Sequence, residues 1–259
     1  MKIGITLAFA PVFYAASLAA TAPAWILSDA LAAATHGRVR LEGARGTVWH
    51  GHASALLVDE NVGAGRHFEL DWCWIASRVL RGQLAIRLET NGAGLRGGVQ
   101  LGIGPTGLRA NDIRFRLPVS TLVAYRPQLA AAGLSGELTL NSPEFVMGAA
   151  GFAGSAVIEW REAASTLNGL QPLGDYTALL TGAGERLQFR IDTASGALQL
   201  NAAGAWSRRE GLSIEGTATS DPHAGSRLEH LLLHLGPEVG DGVHRFQLGA
   251  IQAQERETH

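Results

Sequence analysis

Three histidines come closest to a chemical constellation in this chain. His50 and His52 are two apart in a stretch of strand-forming residues, so both can project from one face, and His67 falls in the next expected strand. Three imidazoles on neighbouring strands would suit zinc or copper. The sequence fixes no acidic or cysteine ligand beside them, and Gly51 between the first two marks a corner, so they read as exposed or hydrogen-bonded imidazoles. His230 and His234 have the i, i+4 spacing of a helical metal pair, but only leucines separate them, and the glutamate of a His-Glu-x-x-His site is missing. The single cysteine, Cys73, sits between Trp72 and Trp74 with no CxxC partner and is read as packed rather than reactive. Residues 102–107 mimic a phosphate loop only in their glycines, since no Lys-Ser/Thr follows. No serine stands in a Gly-x-Ser-x-Gly elbow. The expected catalytic, cofactor and metal residues are therefore none, and the chain reads as a non-enzyme. The tryptophans Trp49, Trp72, Trp74, Trp160 and Trp206 read as core or sheet-face anchors.

The elements around these residues follow one grammar. In residues 43–51 glycines alternate with Thr47, Val48 and Trp49, strong strand formers, giving strand, glycine corner, strand. Alternation recurs over 38–42, 52–58, 66–72, 82–88, 98–101, 108–117, 136–140, 154–160, 184–191, 196–200, 212–218 and 243–248. Residues 172–176 read as a turn feeding a strand. Helical spacing is confined to 74–80, capped by Gly82, to 118–125, closed by Pro127, and to 228–235. A Gly-x-Leu unit returns at Gly82, Gly136 and Gly196, but its intervals of 54 and 60 residues are too uneven for a repeat array. The expected fold is mainly β: an N-terminal transmembrane helix followed by a long, curved, groove-like antiparallel sheet of meanders and hairpins with a few short helices.

Composition excludes several function classes. The chain has 259 residues, 46% hydrophobic and 17% charged, with net charge −2, which suits a folded body and lacks the basic footprint of a nucleic-acid binder. One cysteine excludes an internal disulfide. No charge occurs from Ile3 to Leu27, a run long enough to cross a bilayer, with Lys2 before it and Asp29 after it. The positive-inside rule then leaves the N-terminus cytoplasmic and the body outside. Small-x-small patterns at 20–22 and 22–24 offer a cleaved signal peptide as the competing reading, but the apolar run continues past both through Trp25, Ile26 and Leu27, which favours a retained anchor. The expected domains are an anchor over 1–28, a periplasmic β-rich domain over 29–251 and a polar tail over 252–259.

Residues 43–51, with their Gly-Thr-Val-Trp-x-Gly stretch, and 72–84, a Trp, short helix, Leu-x-Gly-x-Leu run, resemble the type II secretion system protein N family. Residues 154–160, 172–176 and 196–200 with Gly204 extend the resemblance in order along most of residues 1–250. His50 departs from it, standing where a serine is often found, and the final helix and tail match least. The resemblance implies a single-pass inner-membrane protein with a periplasmic body. Its partners would be other type II secretion proteins, namely the inner-membrane platform and the secretin, and its role an accessory one in exporting folded proteins across the outer membrane. It carries over no active site. The residues themselves leave a second reading open. A curved sheet with a continuous apolar inner face, uncovered by a helix, would bind or transfer a lipid or other apolar ligand.

Overall fold

The computed structural model describes residues 14, 17–58, 65–75, 84–92, 94–104, 107–123, 133–166, 172–221, 228, 232–233 and 236–249. Residues 76–80 of the expected helix over 74–80 and its Gly82 cap, His230, His234, the tail over 252–259 and most of the run before residue 17 lie outside these residues; Trp74, expected to start that helix, ends a strand instead. The chain divides into two compact units, Met1–Ala93 and Gly94–His259.

Among its described residues the first unit has a helical stretch at 17–20, the helix α1 (Trp25–Ala34), and the strands β1 (Val39–Gly46), β2 (His50–Val58), β3 (Gly65–Trp74) and β4 (Leu84–Asn91). They pair in chain order and antiparallel. Alternation decides the two faces. Leu41, Ala53, Ala55 and Trp72 are buried with Ala24, and Leu27, Leu31, Phe68, Leu70, Trp74, Ile86 and Leu88 pack around them. The opposite face carries the residues of other parity: His50, His52 and Ser54 on β2 are registered against Cys73, Asp71 and Glu69 on β3.

The second unit holds β5 (Arg96–Gly104), β6 (Gly107–Pro118), α2 (Val119–Val123), β7 (Leu134–Gly148), β8 (Gly151–Ser165), β9 (Gly174–Gly184), β10 (Arg186–Gly196), β11 (Leu198–Ser207), β12 (Gly211–Ser220), β13 (Glu238–Gly240) and β14 (Val243–Gly249). They again follow chain order, except that β14 lies between β12 and the three-residue edge strand β13. All of the registered pairs are antiparallel, as short connections require.

The glycine grammar has a direct structural cause. Six aromatic side chains are registered directly opposite a glycine: Trp72 with Gly51, Phe115 with Gly97, Phe145 with Gly154, Phe152 with Gly184, Phe189 with Gly204 and Phe246 with Gly216. In three of these pairs the ring lies over its partner: a Cβ at Gly51 would meet Trp72 Cζ2 at 2.4 Å, one at Gly204 would meet Phe189 Cζ at 2.4 Å and one at Gly216 would meet Phe246 Cζ at 2.8 Å. Those glycines leave a hole in the sheet face that the facing ring fills, whereas at Gly97 and Gly154 the close neighbours are backbone atoms and at Gly184 nothing lies within 4 Å.

The N-terminal run departs from the expected single helix. Residues 17–20 are helical, the chain turns at 21–24, and α1 starts anew at Trp25. Pro23 forms an isolated bridge with Thr47, and the Ala24 N–H donates to Gly46 O at 3.2 Å. The chain thus docks on the end of β1 at residues 22–24. Among the described residues no helix is long and apolar enough to cross a membrane.

Candidate interaction surfaces

The motif at 43–51 builds a clamp. β1 ends at Gly46 and β2 begins at His50, and between them Thr47 N–H donates to His50 O at 2.8 Å. The Trp72 indole N–H reaches the corner from β3, donating to Val48 O at 3.1 Å and Thr47 O at 3.2 Å. Trp49 turns the other way, onto the N-terminal segment. Its indole N–H donates to Ala19 O at 2.7 Å, its ring meets Trp74 edge-on at 6.1 Å, and Val48 N–H donates to Ala22 O at 2.8 Å. The corner therefore fastens residues 19–24 to the sheet. It also blunts the free side of β1, where Ser28 Oγ donates to Leu41 O at 2.8 Å.

The histidines share one face, as their spacing suggests, and the structure distributes them among acids. His52 lies between two carboxylates, with Nε2 at 2.6 Å from Glu69 Oε2 and Nδ1 at 2.8 Å from Asp71 Oδ1. The hydrogen bond to Asp71 is the main cause that raises its pKa above the usual histidine value, with Glu69 adding to it. His67 faces Glu42 at 3.8 Å, and His50 Nδ1 lies 3.4 Å from Thr47 Oγ1. Among the described residues no three or more His, Cys, Asp and Glu are grouped to hold a metal ion. Cys73 is exposed, which corrects the packed reading: Trp72 and Trp74 take the core side of β3, so the residue between them must face water.

Residues 172–176 form a second clamp, which the sequence marks only as a turn. Glu162 sits at φ 50° where the β8–β9 ladder shifts register, and its N–H donates to Asp175 Oδ1 at 2.7 Å. Ser195 Oγ donates to the other carboxylate oxygen at 2.9 Å. The Glu162 N–H, then Ser195, hold the Asp175 carboxyl below the ordinary range. Tyr176 beside it is buried, its hydroxyl donating to Leu198 O at 3.1 Å, and burial pushes its pKa up to about 12.

The second unit has one apolar and one polar face. On β10, Leu187, Phe189 and Ile191 are half-buried while Arg186, Gln188, Arg190 and Asp192 are exposed. The polar face carries a shallow trough of about 560 Å³, lined by Thr181, Gln188, Arg190, Ala203, Ala205 and Glu215. The apolar face is covered unevenly. Where the long connections 119–133, 166–173 and 221–237 leave the sheet, Leu173, Leu198, Ala218, Leu228 and Leu232 are buried together. At the other end the strands are joined by tight turns at 149–150, 185 and 208–210, and Ile103, Met147, Trp206, Leu212 and Leu248 stand exposed.

These surfaces offer contact and fastening. A family model for the type II secretion system protein N matches residues 37–247, from the residues before β1 into β14. No curated protein and no solved structure gives a significant match to the chain. The matched span takes in the second clamp and the sheet side of the first, and the chain belongs to the type II secretion system protein N family.

Proposed function

We propose that this protein is a non-enzymatic accessory component of the type II secretion machinery, tethered in the inner membrane by its N-terminal run with its β body in the periplasm. The observation that carries the tether is the clamp at Trp49. An apolar run ending at Ala20 leaves residues 3–20, which as a helix would span about 27 Å, close to the hydrocarbon thickness of a bilayer. Trp49 and Trp25, both exposed, then fall at the depth where indoles favour the headgroup layer. The hydrogen bond from Trp49 to Ala19 fixes the tether to the first unit, so the body is held against the membrane surface without a free linker. In this reading residues 22–34 belong to the periplasmic body and the 252–259 tail trails from it.

Partner contact falls on faces rather than on edges. The β1 edge is blunted and β13 offers three residues, so strand addition has little template. The histidine–carboxylate face of the first unit and the polar trough of the second are the surfaces with free polar groups for the platform or the secretin. The unique exposed Cys73 supplies the test of orientation. A membrane-impermeant maleimide should label it once the outer membrane is opened, with the inner membrane intact. Labelling only after the inner membrane is lysed overturns the topology.

A further inference from the structure

We propose that the tight-turn end of the second unit's apolar face binds one acyl chain of an anionic lipid. Residues in register across the ladders lie on the same face, and there they form a row. Ile103, Leu108, Met147 and Phe152 are successive partners from β5 to β8. Leu187, Trp206 and Leu212 are successive partners from β10 to β12. Between the two runs β9 contributes only Gly182 and Gly184, and the rings of Phe152 and Trp206 meet across them at 5.7 Å. From Met147 to Leu212 is five strand spacings, about 24 Å, enough for one chain of a bilayer whose whole hydrocarbon core is roughly 30 Å.

The chemistry of the row selects the occupant. The backbone groups along it are committed to ladders on both sides, so an extended peptide lying there would leave its own amides unpaired. An acyl chain has no such groups. A polar end is provided beside the row. A pocket of about 240 Å³ has Met147 and Phe152 on its apolar side and Arg186, Arg208 and Arg209 on the other. Arg186 is held by Glu210 at 2.8 Å, while Arg208 and Arg209 in the turn have no partner among the described residues. With Glu185 also lining the pocket, the balance there is positive by one charge, three arginines against two glutamates. An anionic headgroup at Arg208 and Arg209 would place its chain on the row.

The test uses the full chain in living cells. A photoreactive benzophenone amino acid is placed singly at Met147, at Leu212 and, on the polar face, at Gln188, and adducts are identified by mass spectrometry after irradiation. Phospholipid adducts at Met147 and Leu212 but not at Gln188 are expected. Substituting Arg208→Ser together with Arg209→Ser should lower their yield roughly fivefold, the scale of an exposed ion pair. Lipid adducts of equal yield at Gln188, protein adducts alone at Met147 and Leu212, or a yield indifferent to the arginine pair would overturn the proposal. None of these outcomes bears on the secretion role, which the Cys73 labelling and partner recovery test separately.

Discussion

Gly51→Ala sets a methyl directly against the ring that covers its glycine. The new Cβ would lie 2.4 Å from Trp72 Cζ2 and 2.5 Å from Arg45 O, more than 1 Å inside ordinary contact. Trp72 is 3% exposed and cannot swing into solvent without emptying the first unit's core. Overpacking of this kind costs about 1–3 kcal/mol. Displacing the ring also strands an indole N–H that now donates to Thr47 O and Val48 O, adding about 1 kcal/mol. A loss of about 3 kcal/mol is expected, a large share of a stability of roughly 5–15 kcal/mol. Gly43→Ala is the control: its φ is +63°, so it bears left-handed strain of about 1–2 kcal/mol, but nothing lies within 4 Å of its Cβ. Urea unfolding followed by far-UV circular dichroism gives both values. The double variant Gly51→Ala with Trp72→Leu should show a coupling of at least about 1 kcal/mol, because a smaller partner makes room for the methyl. Equal losses for Gly51→Ala and Gly43→Ala, or an additive double variant, would refute the ring-over-glycine account.

Other expectations follow from the two clamps and the histidine face. Because His52 has a raised pKa, its bonds to Asp71 and Glu69 stabilise the fold fully below about pH 6.5, and that contribution is lost as pH rises through the folded-state value. His52→Gln should therefore lower the melting temperature more at pH 6 than at pH 8.5; an equal drop at both would contradict the pairing. Asp175 has the opposite sign: its carboxylate stabilises the fold above its ordinary pKa and ceases to as pH falls through the lowered folded-state value. Asp175→Asn should cost about 1 kcal/mol at pH 7 and flatten the acid limb of a stability–pH profile; an unchanged acid limb would be the contrary result. Trp49→Phe keeps a ring beside Trp74 but removes the donor to Ala19, so limited proteolysis should cut faster within residues 19–24. An unchanged cleavage rate there would show that the indole bond does not hold the segment.

Much of the architecture was legible because period-two alternation is a local signal. The β2 and β3 faces, the β10–β11 hairpin and the glycine corner before His50 all follow from residue types within ten positions of each other. Register is not local. Nothing in the spacing of Trp72 and Gly51, or of Phe189 and Gly204, announces that they face each other, yet those pairings explain why the glycines are where they are. The Asp175 clamp was invisible for the same reason: its partners, Glu162 and Ser195, lie 13 and 20 residues away. Cys73 was misplaced because its flanking tryptophans suggested a packed neighbourhood, while alternation puts the middle residue of such a triplet on the far side. Hydropathy and flanking charge mark the apolar run, but neither registers that Pro23 can bridge to Thr47 and turn the chain onto the sheet.

The claim on which the account rests is that this protein works by contact within the secretion apparatus. Affinity purification of the full chain from native envelope membranes, with every co-purifying protein identified by mass spectrometry, tests it most directly. Inner-membrane platform proteins of the type II system should be recovered in amounts comparable to the bait. A preparation rich in the bait and free of every secretion component would contradict it.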